Sequence, residues 1–95
     1  ITTVGIIENS ISNGFQVYPN PTKNDIQIEL SSKNGINLDL KLVDINGRIV
    51  QSMSVKTMQG LNKYNMNIGD HADGIYHLQV YENNQLVYTE KVRKQ

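Results

Sequence analysis

Four groups of side chains in this chain could do chemistry. His71 and His77 lie close together, and Asp70 and Asp73 bracket the first of them. Imidazoles and carboxylates act as general acids, general bases or metal ligands. No nucleophile accompanies them, since no serine stands in a Gly-x-Ser-x-Gly elbow. The spacing Asp70-His71-x-Asp73-Gly74 also fails the Asp-x-Asp-x-Asp-Gly pattern of calcium loops. Two ordinary surface histidines and a turn held by side-chain to backbone hydrogen bonds are the expectation here. A cation at this turn would show as a calcium-dependent melting temperature. The third group is Tyr81 and Tyr88, which would form a sugar-stacking platform if they met on one face. Cross-strand aromatic pairs also serve as plain sheet stabilisers, and the chain has no tryptophan. Last come Lys91, Arg93 and Lys94, which read as a solvated basic end. These residues predict no enzyme, no cofactor and no metal.

Composition narrows the field further. Nine basic and nine acidic residues give a formal charge of zero over 95 residues. A nucleic-acid binder would carry a basic footprint, which is absent. No apolar run approaches the roughly 20 residues that span a bilayer. Without cysteine there is neither a disulfide framework nor a thiolate metal site. The N-terminus lacks a basic region followed by an apolar block, so no secretory signal is present in it. A chain beginning at Ile1 is expected to be a piece of a longer or processed protein.

The elements that must position these residues are strands. Ile1 to Gly14 is polar and glycine-containing, without sustained apolar period. It reads as an exposed linker, with a short extended segment around Val4 to Ile7; the alternative is a first strand joining the sheet. Phe15 to Tyr18 then forms a short strand. Pro19 and Pro21 fix their own φ and push Tyr18 and Asn20 into extended conformations. Asn20 to Lys23 forms a turn with Pro21 where its φ suits types I and II. Asp25 to Leu30 alternates, with Ile26, Ile28 and Leu30 inward. Asn34-Gly35 is a hairpin-type signal. Leu38, Leu40 and Leu42 share one face of the next strand. Val43 and Ile45 take the other parity, through a bulge or a covered second face. Asn46-Gly47 marks a two-residue hairpin, and Ile49, Met53 and Val55 keep one parity on the return. Tyr64, Met66 and Ile68 face inward in a strand from Leu61. Tyr76, Leu78 and Val80 do so in the strand from Gly74, with Ile75, His77, Gln79 and Tyr81 outward. Asn83-Asn84 suits positive φ. Leu86 to Arg93 closes the chain with mixed parity.

About seven short strands at ten-residue spacing, with no helical period, argue for an all-β, immunoglobulin-like β-sandwich of antiparallel strands. Gly74-Ile75-Tyr76 fits a tyrosine corner, in which the Tyr76 hydroxyl bonds backbone across the turn. Leu78 would stand where antibody domains place a disulfide cysteine.

Several stretches taken together resemble one family. Val17-Tyr18-Pro19-Asn20-Pro21-Thr22 followed by Ile26-Gln27-Ile28 is similar to the opening motif of type A C-terminal sorting domains of the type IX (Por) secretion system. Leu42 to Val50, with Asp44, Asn46 and Gly47, resembles the family's middle hairpin. Asp73 to Val80 resembles its Gly-x-Tyr motif, and Glu90 to Lys94 its lysine-containing last strand. Four motifs in order are more specific than any one of them. Tyr18, Pro19, Asn20, Pro21, Gly47, Gly74, Tyr76, Lys91 and Lys94 match family positions. Arg93 departs from it, at a place where an aliphatic residue is common, and Gln95 extends past the usual basic end. The resemblance implies an immunoglobulin-like domain, residues 15–95, that directs an N-terminal cargo domain through the outer-membrane translocon to the cell surface or medium. It also implies removal by a surface sortase that cuts within residues 1–14. The translocon and sortase would be its partners. A carbohydrate-binding or adhesive module is the alternative.

Overall fold

The computed structural model describes residues 11–95, with side chains from residue 15 onward. The expected linker over residues 1–10, its extended segment and any cleavage site there lie outside the described residues. Seven strands follow one another: β1 (Ile11–Tyr18), β2 (Asp25–Ser32), β3 (Asn37–Asp44), β4 (Ile49–Lys56), β5 (Gly60–Asn67), β6 (Gly74–Glu82) and β7 (Gln85–Lys94). They form two antiparallel sheets, ordered β1-β2-β5 and β4-β3-β6-β7. The described residues contain no helix. The immunoglobulin-like sandwich expected from the strand spacing is the observed fold.

Period-two alternation builds this core. Ile26, Ile28 and Leu30 of β2 are fully buried, as are Leu40 and Leu42 of β3, Leu78 and Val80 of β6, and Val92 of β7. Each row of inward side chains comes from residues two apart, which the pleat places on one face. Met66 and Ile68 close the layer from the chain around β5. Burying each of these side chains contributes about 1.5–3 kcal/mol. That is how a domain without disulfides reaches net stability.

Strand β1 begins at Ile11, four residues before the expected start at Phe15, and pairs with β2 through two register irregularities. Asn34-Gly35 does not make a hairpin. Strand β2 pairs with β1 and β5, while β3 pairs with β4 and β6, so this turn carries the chain between sheets. Gly35 is not among the glycines with positive φ. Buried Thr57 organises the crossing instead: its hydroxyl donates to Asn34 O at 2.9 Å and accepts from Ile36 N at 2.9 Å.

The middle hairpin also differs from a two-residue turn. Asp44 Oδ1 accepts from Asn46 N at 2.9 Å and Arg48 N at 3.0 Å, and Gly47 N donates back to Asp44 O at 3.0 Å. Only Gly47 takes positive φ, at 84°. This is a three-residue loop in which a left-handed glycine follows a type I-like turn. The carboxylate stabilises the longer loop by filling backbone donors that a two-residue turn would not leave open. A register shift follows between Leu42 and Val43, which pairs Val43 with Ile49 on the outer face. Ile49 thus leaves the parity of Met53 and Val55 and is 53 % exposed. Val43 is buried on that outer face, and β3 itself runs in regular register with β6, so the covered second face accounts for its parity, while the bulge belongs to β4, where Val50 is the extra residue. At the last turn, Asn83 and Asn84 do take positive φ, at 52° and 63°.

Candidate functional site

Strand β7 is the edge of the larger sheet, and an edge strand presents unpaired backbone groups. The Pro-Asn-Pro segment covers part of that edge. After Tyr18 the chain leaves the smaller sheet, crosses to β7, and returns to begin β2 at Asp25. Both X-Pro bonds, Tyr18-Pro19 and Asn20-Pro21, are cis, and the chain from Asn20 to Lys23 bends with Thr22 in a bridge to Lys94. The Asn20 side chain sits against β7 as an extra strand would. Its amide nitrogen donates to Lys91 O at 2.7 Å, and its Oδ1 accepts from Arg93 N at 2.9 Å. Thr22 continues the pairing as a parallel bridge to Lys94: its N–H donates to Arg93 O at 2.9 Å and its carbonyl accepts from Gln95 N at 2.9 Å. The Thr22 hydroxyl donates to Asp25 O at 2.7 Å, and the residue is 3 % exposed. Thr22 was not among the candidate residues; its β-branched hydroxyl between the second proline and an alternating strand is the signal that could have found it.

The upper part of β1 also meets β7. The Phe15 ring stacks on Tyr88 with centroids 4.2 Å apart. Tyr88 donates to Glu90 Oε1 at 2.6 Å, and burial first, then this carboxylate, push its phenol well above the ordinary value. Tyr88 opposes Val80 and packs on the core, whereas Tyr81 opposes Leu86 and lies under the Lys41 ammonium, 4.6 Å from the ring centroid. The two tyrosines therefore do not form one platform. Tyr18 is 40 % exposed and donates to Glu29 Oε2 at 2.6 Å, a bond that raises its pKa.

Gly74 and Tyr76 sit beside the clip. Gly74 opposes Lys94 and Tyr76 opposes Val92. Tyr76 is 6 % exposed and its hydroxyl donates to Ala72 O at 2.6 Å, which is the expected tyrosine corner. Gly74 takes a φ of 151°, with open space where a Cβ would be. The basic end is not uniformly solvated. Lys94 is 8 % exposed, and its Nζ lies 3.1 Å from Asp73 Oδ1. Its stem lies along the sandwich, as long cationic side chains do at sheet margins. Lys91 and Arg93 face solvent.

Gly47 stands apart from the clip, in the β3–β4 loop. That loop and the corner before Gly74 enclose a shallow concavity of about 390 Å³ lined by Asp44, Arg48, His71, Asp73 and Tyr76, among others. Most of its polar groups have partners in or beside it, and Asp70 is exposed and makes no ion pair among the described residues. Asp44 accepts from Arg48 Nε at 3.2 Å, and the Arg48 backbone N–H above all holds its carboxyl below the usual value. His71 Nε2 lies 2.7 Å from Gln51 Oε1. Asp73 is taken by Lys94. Among the described residues no three His, Asp or Glu side chains converge as metal ligands. His77 is on the outer sheet face opposite Val43 and Lys91, away from His71.

The sequence pattern of the secretion system C-terminal sorting domain matches residues 16–95. The chain belongs to that family. Sorting domains of this kind are type IX secretion signals, so the chain is a C-terminal sorting signal that interacts with that machinery on behalf of a cargo domain. Its route is to the outer membrane or beyond, and no helix among the described residues is long and apolar enough to cross a membrane. No curated protein matches the chain. Among solved structures, it is similar to an immunoglobulin-like protein from Pseudomonas aeruginosa, at 9 % identity and a TM-score of 0.57, over 90 % of this chain and 95 % of that one. It is also similar to a β-glucosidase from Kluyveromyces marxianus, at 12 % identity and a TM-score of 0.56, over 90 % of this chain and 14 % of that one. At such identity these likenesses concern the fold alone. Of the nine candidate positions in this sorting domain, Asn20 and the backbone of Lys91 touch directly. Lys94, Gly74 and Tyr76 adjoin them, and Gly47 and the exposed end of Tyr18 do not.

Proposed function

We propose that the type IX translocon reads the folded edge made by Asn20 to Thr22 and Lys91 to Gln95. In this reading a cargo domain precedes residue 15 in the parent chain, and a surface sortase cuts between the two. The domain acts by being bound and catalyses nothing. The observation that carries the reading is the four-bond seam from Asn20 and Thr22 to Lys91, Arg93 and Gln95, which joins the family's first and last motifs. Accessible strand edges are a common mode of peptide and partner recognition.

The test is a fusion of residues 1–95 behind a periplasmic reporter in a type IX-competent bacterium. The reporter is expected in the medium or on the surface, with its new C-terminus upstream of Phe15. Retention in the periplasm, in cells that export their own cargo, overturns the sorting assignment. Export with the domain still attached overturns only the cleavage. Deleting Lys91 to Gln95 is a poor version of this test, because Val92 is fully buried and leaves the core with them.

A further inference from the structure

We infer that the outer face of the four-stranded sheet, at its hairpin end, docks an acidic, aliphatic-bearing protein surface of the export machinery, an inference that rests on the sorting reading. One row of side chains crosses all four strands there: Ile49 pairs with Val43, Val43 with His77, and His77 with Lys91. Ile75 lies on the same face two residues before His77 and opposes Arg93. Ile45 is 74 % exposed and lines the same concavity as Ile75. Core packing does not require isoleucines here, since the inward face of these strands is already filled by Leu42, Leu78 and Val92. A contiguous apolar patch rimmed by polar groups marks an interaction site more often than scattered exposed residues do.

Charge indicates what covers it. Of the three carboxylates around the concavity, Asp44 pairs with Arg48 and Asp73 with Lys94, while Asp70 is exposed without an ion pair among the described residues, so with Lys91 and Arg93 the free charge of this end is net positive. Among the described residues Lys91 and Arg93 make no ion pair. The patch thus offers aliphatic area beside two uncommitted cations on a chain of zero formal charge. A second copy of this chain would set cations against cations, which disfavours self-association. A lipid surface would call for aromatic residues at the interface, and this patch has none. A protein surface that alternates aliphatic side chains with carboxylates satisfies both features.

Export of the reporter fusion decides the matter. Ile45→Asp with Ile49→Asp should lower export at least tenfold while the melting temperature stays near that of the parent. Ile45→Asp alone, in an exposed loop, guards against loss of folding and should give a smaller loss in the same direction. Lys91→Glu with Arg93→Glu should also lower export tenfold, and Lys91→Arg with Arg93→Lys should not. Leu61→Asp, at a site 62 % exposed on the other sheet, should export normally. Full export of the Ile45/Ile49 variant overturns the inference and leaves the sorting assignment standing, as does an equal loss with Leu61→Asp. Full export of the charge-reversed variant overturns the acidic partner. Flotation on anionic phospholipid vesicles that depends on Ile45 and Ile49, or a dimer broken by Ile49→Asp, overturns the protein-surface assignment. If the parent fusion itself is not exported, the sorting assignment and this inference fall together.

Discussion

Asn20→Ala tests the seam most directly. The substitution removes the amide donor to Lys91 O and the acceptor for Arg93 N, at 2.7 and 2.9 Å, and leaves both backbone groups to water. A hydrogen bond contributes a net ~0.5–1.5 kcal/mol, and exposed ones lie toward the low end. Two of them give a loss of about 1–2 kcal/mol. For a domain of this size that lowers the melting temperature by roughly 5–15 °C. The local effect is more diagnostic. The Arg93 amide should lose about tenfold in hydrogen-exchange protection, since 1.4 kcal/mol corresponds to a factor of ten. The Gln95 amide, bonded to Thr22 O, should follow, while amides bonded within the central strands β3 and β6 keep theirs. Asn20→Asp separates the two halves of the clip. It keeps an acceptor for Arg93 N but sets a carboxylate oxygen against Lys91 O. Repulsion raises that carboxyl's folded pKa, so the variant should gain stability as pH falls through that raised value, where the protonated group donates again, and the gain should be complete once pH reaches the ordinary carboxylate range. Unchanged Arg93 protection in Asn20→Ala would refute the claim that this side chain closes the edge.

Three further expectations concern the neighbouring elements. Tyr76→Phe removes one bond to Ala72 O from a buried ring. It should cost about 1 kcal/mol, read as a shift of the urea midpoint at constant slope. Gly47→Ala meets no atom within 4 Å but must hold a φ of 84°; the strain should cost about 1–2 kcal/mol with no change in the loop's contacts, checked by thermal melts. Asp44 has a folded pKa below its ordinary 3.8 because it accepts from the Arg48 and Asn46 amides. A depressed acid contributes stability above its unfolded pKa and loses it as pH falls through the folded one. The parent should therefore weaken below about pH 4 more steeply than Asp44→Asn, which a carboxyl-resolved NMR titration and acid melts would check.

The core was legible because burial imposes a strict period. Ile26, Ile28 and Leu30 alternate in the sequence and are fully buried in the fold. Tyr76 was legible because its hydroxyl reaches only four residues back, to Ala72. Sheet membership was not. A turn dipeptide such as Asn34-Gly35 reports that the chain bends, while the partner of the next strand is decided by which neighbour completes the core. Ile49 was misplaced for a related reason: the bulge at Val50 answers to the Asp44 carboxylate inside the loop, a local hydrogen-bond competition that hydrophobic period does not register. Lys94 read as a solvated end because its partner, Asp73, lies 21 residues away and was weighed only within its own turn, as a cation ligand or a side-chain to backbone hydrogen-bond acceptor.

The seam gives the scattered family motifs a physical relation. Asn20 and its partners Lys91 and Arg93 are separated by 71 and 73 residues, so the edge they make does not exist until both sheets have formed. A linear peptide containing either motif alone lacks it. Val92, buried between Lys91 and Arg93, ties the geometry of those backbone groups to the core. Core damage therefore propagates to the seam: Leu78→Ala, which costs about 2–5 kcal/mol, lowers the population carrying it along with the folded population. In the proposed sorting role, a machine that reads this edge reads completed folding at the same time, with no separate checkpoint. The same logic explains why the cover is a side-chain amide with one donor and one acceptor. It satisfies Lys91 O and Arg93 N against indiscriminate strand addition while the seam itself stays intact for a specific partner to read.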